Sequence, residues 1–189
     1  MSDTRTALIV IDVQQSFRHR PYWSEEEVPA FIETLQQLLD RARDAGTPVL
    51  QVFHEQEDEG PTSPFSQASG LVRTLPELDI EPDAVFHKSV HSALFARGAS
   101  GQTLEQWLRA HAITRVVVTG IRTEQCCETT ARHASDLGFE VRYVTAATLT
   151  FPMTSASGRC YSAQEIRDRT ELVLDGRFAT VVTPAAALA

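Results

Sequence analysis

The sequence predicts an α/β protein: a parallel six-stranded sheet covered by helices on both faces, a three-layer α/β/α sandwich. Three observations carry this. Apolar runs without polar alternation, such as Ala7-Leu8-Ile9-Val10-Ile11 and Val116-Val117-Val118, read as strands buried on both faces. Segments with helical periodicity alternate with these runs along the chain. Right-handed crossovers between parallel strands then distribute the helices over both faces of one sheet.

The first strand ends at Asp12, and residues 18–24 form a loop holding Pro21, Tyr22 and Trp23. Ser24 is placed to cap a helix whose first turn carries Glu25, Glu26 and Glu27, charges that complement the helix dipole. Val28, Phe31, Leu35, Leu38 and Leu39 follow at helical spacing. Gly46 ends that helix, and Thr47-Pro48 leads into a second strand over 49–53. Residues 55–81 are irregular and rich in Glu, Pro, Ser and Gly, with Leu71, Leu75 and Leu78 forming a short turn. A loop this long inside a compact domain is usually functional or mobile. A third strand over 84–86 precedes His87 and Lys88. The next helix spans 103–110 and carries Leu104, Trp107 and Leu108. The fourth strand is punctuated by Gly120. Thr123 then stands as N-cap of a helix that carries Cys126 and Cys127 and ends at Gly138. A fifth strand over 140–144, a helix over 163–174 closed by Gly176, and a sixth strand over 178–182 complete the pattern. No internal repeat or domain boundary interrupts it, so residues 1–189 read as a single domain.

The chain has 189 residues, 42% of them hydrophobic, which suffices for one sizeable core. A net charge of −8 argues against nucleic acid or an anionic membrane as partner. No apolar run reaches the length of a membrane span. The N-terminal residues lack a signal-peptide core. Adjacent Cys126 and Cys127 with a distant Cys160 form neither a disulfide framework nor a zinc pattern. A reduced, cytoplasmic compartment is the expectation.

Cys126 sits near the start of a helix that follows a central strand. The helix dipole and free N–H groups there favour a thiolate and could hold a developing oxyanion. The alternative is a buried, inert cysteine. In open parallel sheets, ligands bind beyond the carboxyl ends of the strands, where strand order reverses. If the first and fourth strands are neighbours there, Asp12 faces Cys126. Asp12 can take the thiol proton, because burial raises a carboxylate's pKa. Lys88 can hold both anions. As alternatives, Asp12 could cap a turn and Lys88 could be a solvated loop charge. All three residues lie at C-terminal ends of predicted strands.

The segments Ile11-Asp12-Val13-Gln14, Lys88 after its Phe-containing strand, and Thr119-Gly120-Ile121-Arg122-Thr123-Glu124-Gln125-Cys126 resemble, in order and spacing, three signatures of the isochorismatase-like cysteine hydrolases. The resemblance covers nearly the whole chain. It implies a Rossmann-like six-stranded sheet in the order 321456 and an Asp-Lys-Cys triad at Asp12, Lys88 and Cys126. It also implies a cis peptide between Ile121 and Arg122, with the Arg122 and Cys126 N–H groups as oxyanion hole. A small-molecule substrate, no cofactor and a homo-oligomer, dimer or tetramer, follow from the same resemblance. Cys127 takes a position where the family usually has a small apolar residue, so core packing is expected of it.

Departures from the family pattern refine this. The metal-dependent nicotinamidase branch carries Asp-x-His after the second strand, whereas this chain reads Val52-Phe53-His54. No metal site is therefore expected, and His54, His87 and His91 offer no convincing ligand pair. True isochorismatases, which hydrolyse a vinyl ether, resemble this fold but lack the cysteine. Its presence favours hydrolysis of a small amide or ureido C–N bond through a thioester. A vinyl-ether hydrolase and a non-enzymatic, thiol-based binding or redox module are the alternatives. Phe17, Trp23, His91, Arg122 and Phe151 are expected to line the substrate pocket, although aromatics at such places also serve in packing. The Arg122 side chain has two readings: it grips an anionic group of the substrate, or it points outward or pairs with Glu124 or Glu128. The acidic loop between Glu55 and Pro82 is expected at an interface or over a neighbouring pocket.

Overall fold

The computed structural model describes residues 4–56 and 60–189. Six parallel strands form the main sheet: β1 (Thr6–Ile11), β2 (Val49–His54), β3 (Ala84–Lys88), β4 (Arg115–Ile121), β5 (Glu140–Leu149) and, after a short antiparallel hairpin of β6 (Met153–Thr154) and β7 (Cys160–Tyr161), β8 (Thr180–Val181). Their spatial order is β3-β2-β1-β4-β5-β8. The order therefore reverses between β1 and β4, which pair in parallel from Thr6–Arg115 to Ile11–Gly120. The predicted three-layer sandwich and its strand order are both present.

Alternate residues of the central strands feed two cores. Ile9, Ile11, Val116 and Val118 pack against α2 (Leu104–Ala110), α3 (Glu128–Asp136) and the end of α4 (Ala163–Leu174) through Leu104, Leu108, Ala131, Ala134 and Leu174. Leu8, Val10 and Val117 pack on the other face against α1 (Val28–Ala45), through Phe31, Leu35, Leu38 and Leu39. Among the described residues, no helix is long and apolar enough to cross a membrane.

Several boundaries differ from the sequence reading. Ser24 does not cap α1: its hydroxyl accepts from the Glu26 N–H at 3.3 Å, and the helix starts at Val28 behind Glu27, without a side-chain cap. Pro29 explains this start, because proline is tolerated only in the first helical turn. Strand β3 continues through His87 to Lys88, so Lys88 ends a strand and is not a loop charge. Thr123 is not an N-cap. The helical path begins at Thr123 itself as a single π-turn, Thr123–Cys127, with Arg122 before it. The sixth strand is only two residues long, and the β6–β7 hairpin was not foreseen. The irregular segment is anchored to β1's exit: Leu75 N–H donates to the Val13 carbonyl, and Gln15 N–H to the Arg73 carbonyl. Phe65, Leu75 and Leu78 are buried. Residues 57–59 of the acidic loop lie outside the described residues.

Gly120 fixes how closely β4 approaches β1. Its φ is +122°, and a Cβ built there would lie 2.0 Å from the Ile11 carbonyl oxygen. Neither the backbone angle nor the space admits a side chain. Gly120→Ala should lower the unfolding free energy by about 3 kcal/mol or more. Urea denaturation of the variant beside the parent checks this, and an unchanged midpoint would refute it.

Candidate active site

The site lies at the carboxyl ends of β1, β3 and β4, at the point where strand order reverses. Asp12 follows β1 directly with a left-handed φ of +56°, a conformation that aspartate tolerates better than most residues. Its N–H is held by the Val52 carbonyl at 2.8 Å. The side chain is fully buried.

Lys88 enters from β3, two strands away. Its Nζ donates to Asp12 Oδ2 at 2.7 Å and to Cys126 Sγ at 3.4 Å, and it faces His54 Nδ1 at 3.2 Å. Both side chains of the Asp12–Lys88 pair are sealed from solvent.

Cys126 is carried by the π-turn. Gln125 and Cys127 both donate their N–H groups to the Arg122 carbonyl at 3.2 Å, and the Cys126 N–H does not join them. The peptide bond between Ile121 and Arg122 is cis. Buried hydroxyls fix the turn from β5. Thr123 Oγ1 meets Thr148 Oγ1 at 2.8 Å, and Tyr143 donates its hydroxyl to the Thr123 carbonyl at 2.7 Å. Strand β5 shifts register opposite Val118–Gly120, a bulge of the kind that re-aims side chains beside functional sites. The triad expected from sequence is thus brought together within hydrogen-bonding reach.

The electrostatics of the three groups are coupled. Burial raises the Asp12 carboxyl above its ordinary range, and the Lys88 ammonium opposes that rise. Burial also pushes the Cys126 thiol well up, and the Asp12 charge adds to this while Lys88 opposes it. For Lys88, burial acts downward, but Asp12 and Cys126 outweigh it and the net direction is up. Burial and the neighbouring carboxylate thus act against the thiolate that the helix start favours, and Lys88 acts for it.

Cys126 opens into a cavity of about 370 Å³ lined by Phe17, Arg20, Tyr22, His54, Phe65 and Arg122, among others. That volume suits a small molecule. Of the five residues expected to line it, Phe17, His91 and Arg122 do. His91 is exposed, with Nδ1 3.8 Å from Cys126 Sγ. Trp23 and Phe151 do not reach the wall. They pack on each other at 5.1 Å, and Phe151 packs on Tyr22 at 5.4 Å, so they back the wall. The sequence reading missed Tyr22, Phe65, Gln56, Arg20 and Gln125 as lining residues. Phe65 and Gln56 belong to the irregular loop, so that loop covers this chain's own pocket. A larger hollow of about 650 Å³ lies between the β6–β7 hairpin and α4, away from the triad.

Arg122 follows the second of its two readings. It is buried, with Nη2 2.8 Å from Glu124 Oε1 and its guanidinium 4.5 Å over the Tyr22 ring. Glu124 in turn accepts from the Thr150 hydroxyl at 2.6 Å. The charge is therefore neutralised within the wall. Cys127 is fully buried in the core, as expected, and Cys160 is exposed.

The metal of the nicotinamidase branch does not fit this donor set. His54 Nδ1 faces an ammonium, which would repel a cation, and His87 Nδ1 is taken by Glu55. Among the described residues, no group of three His, Cys, Asp or Glu side chains could hold a metal ion.

Comparison with known proteins decides the family. An isochorismatase domain model matches residues 6–176. The chain belongs to the isochorismatase family. It is 29% identical to the uncharacterized isochorismatase family protein YrdC of Bacillus subtilis (strain 168), over 96% of this chain and 93% of that one. It is 26% identical to the nicotinamidase of Escherichia coli (strain K12), over 74% of this chain and 80% of that one. Among solved structures, an isochorismatase-family protein from Chromobacterium violaceum ATCC 12472 superimposes with a TM-score of 0.82 at 29% identity, covering 98% of this chain and 92% of that one. The family placement makes this chain a hydrolase.

The buried pair sets a stability prediction. Lys88→Met leaves Asp12 buried without its cation, which should cost about 3–5 kcal/mol at pH 7. Asp12 in the fold already holds its proton more tightly than in the unfolded chain, and more so without Lys88. The fold therefore gains stability relative to the unfolded chain as pH falls through Asp12's raised pKa toward 3.8. Urea unfolding of Lys88→Met at pH 7 and at pH 4.5 should show a smaller deficit at the lower pH. A deficit that grows on acidification would contradict the assignment.

Proposed function

We propose that this isochorismatase-family hydrolase cleaves a C–N bond of a small carboxamide or ureido compound through a thioester on Cys126. The observation that carries this is the Lys88 ammonium, placed between Asp12 Oδ2 and Cys126 Sγ, the sulfur that lines the cavity. An amide is hydrolysed by the nicotinamidase relative, as its name states, which supports the same class of bond here.

Asp12 is the base. It accepts the Cys126 proton as the sulfur attacks the substrate carbonyl carbon, and its burial-raised pKa narrows the gap to the thiol. The C=O pair moves onto oxygen, and the Arg122 and Cys126 N–H groups hold the resulting oxyanion. The tetrahedral intermediate collapses, the C–N bond breaks, and Asp12 returns its proton to the leaving nitrogen. An acyl thioester remains on Cys126. Asp12 then takes a proton from water, whose oxygen attacks the thioester carbon. The C–S bond breaks, the acid leaves, and Asp12 passes the proton it took from water to the Cys126 thiolate. Lys88 keeps its charge throughout and offsets whichever of Asp12 and Cys126 is anionic.

Ammonia or amine release from a panel of neutral carboxamides, ureido acids and carbamoyl amines tests this. On the compound turned over, Cys126→Ser and Asp12→Asn should each lower kcat by at least about a thousandfold with the fold intact by circular dichroism. Vinyl-ether hydrolysis that survives Cys126→Ser would assign the site to the other chemistry of the family. Dialysis against a chelator should leave turnover unchanged, and loss restored by zinc or iron would refute the metal-free reading.

A further inference from the structure

His54 is the one cavity-lining imidazole that faces Lys88, and the mechanism above gives it no role. The Lys88 ammonium carries three N–H bonds and has three neighbours: Asp12 Oδ2, Cys126 Sγ and His54 Nδ1. An ammonium can only donate. At 3.2 Å, His54 Nδ1 must therefore present its lone pair, which fixes the neutral tautomer with the proton on Nε2.

The rest of the structure holds the ring in that place. Gln14 grips the His54 backbone from both sides: its Nε2 donates to the His54 carbonyl at 2.9 Å, and its Oε1 accepts from the His54 N–H at 2.7 Å. Gln14 is fully buried. The imidazole also meets the Phe65 ring edge-on at 5.9 Å. Burial, and then the charges of Lys88, His91 and Arg20, push the His54 pKa down to about 3, which favours the neutral ring that the geometry requires.

We infer that His54 is a positioning residue: a neutral acceptor that completes the Lys88 donor set and aims the ammonium at Asp12 and Cys126. The length of the lysine makes this necessary. Lys88 starts on β3 and crosses β2 to reach β1, and His54 is its paired neighbour on β2. A flexible side chain of four methylenes would otherwise sample other rotamers and lose its hold on the two acids. The inference rests on the triad reading of Lys88, and its test needs no substrate.

The test is the pH dependence of Cys126 alkylation by iodoacetamide, with exposed Cys160 as internal reference. His54 is replaced by Asn, Gln and Leu, and each variant is confirmed folded by circular dichroism. Asn keeps an acceptor near the position of Nδ1; Gln carries its amide out toward Nε2; Leu keeps bulk alone. His54→Leu and His54→Gln should slow Cys126 alkylation at pH 7 about tenfold and move its midpoint about one unit to higher pH, because a loosely held ammonium stabilises the thiolate less. His54→Asn should recover to within a few-fold, and Cys160 should react alike throughout. If His54→Leu fails to fold, the Asn and Gln pair decides alone. Equal behaviour of all variants, or any order in which Asn is not the best, overturns the inference. If the order holds but no amide is turned over, the amide reading falls and the role of His54 stands.

Discussion

The ion pair between Lys88 and Asp12 joins two strands that are not neighbours. Strand β2 lies between them, and adjacent strands are about 4.8 Å apart, so the cation must cross roughly 9–10 Å. Lysine meets this requirement: its stem is long, its charge is compact and it can be buried against apolar surface. Each ion alone would cost several kcal/mol to bury. The pair is therefore tolerated only if the ends of β1, β2 and β3 keep their register, and the geometry of the site and the stability of the sheet become one problem. His54, paired with Lys88 on β2, meets the ammonium on its way to Asp12.

A second constraint brings Cys126 to the other side of Asp12. Gly120 lets β4 come against the Ile11 carbonyl, and the π-turn immediately after it swings the sulfur toward β1. A regular α-helix starting at the same place would advance the cysteine by a different angle, since a π-turn adds one residue to the repeat. The turn is held from β5 by Thr148 and Tyr143, and the bulge in β5 permits those contacts. Residues of β5 outside the cavity lining thus set the position of Cys126.

Much of this was legible in the sequence because it depends on local chemistry. Continuous apolar runs marked β1 and β4, and the alternation of elements gave the sandwich. Strand-end charges at Asp12 and Lys88 pointed to the site. What was not legible depends on distant contacts. Nothing periodic in 55–81 announces that Phe65 and Gln56 fold over the cavity. Trp23 and Phe151 were expected on the pocket wall but stand one layer behind it, because sequence does not say which of several aromatics faces inward. The choice between the two readings of Arg122 rested on a partner two residues away, whose orientation follows from the turn. A helix dipole can be inferred from sequence, but the depth of burial that opposes it at Cys126 cannot.

That burial has a chemical consequence. Burial beside a carboxylate disfavours the thiolate of Cys126, the form with which oxidants and stray electrophiles react. In the proposed reaction the thiolate arises as Asp12 accepts the proton, so nucleophile and acid are generated in the same transfer. Asp12 and Cys126 compete for one proton under one cation, and the energy separating the two arrangements is set by the position of the ammonium between them. An ammonium nearer Asp12 favours thiol and carboxylate; one nearer sulfur favours thiolate and carboxylic acid. Nζ lies 2.7 Å from Asp12 Oδ2 and 3.4 Å from Cys126 Sγ, each an ordinary hydrogen-bond length for its acceptor, so one ammonium serves both groups. In the proposed reaction, an ammonium held within reach of both groups offsets the charge on whichever of them is anionic, so its position bears directly on the nucleophile.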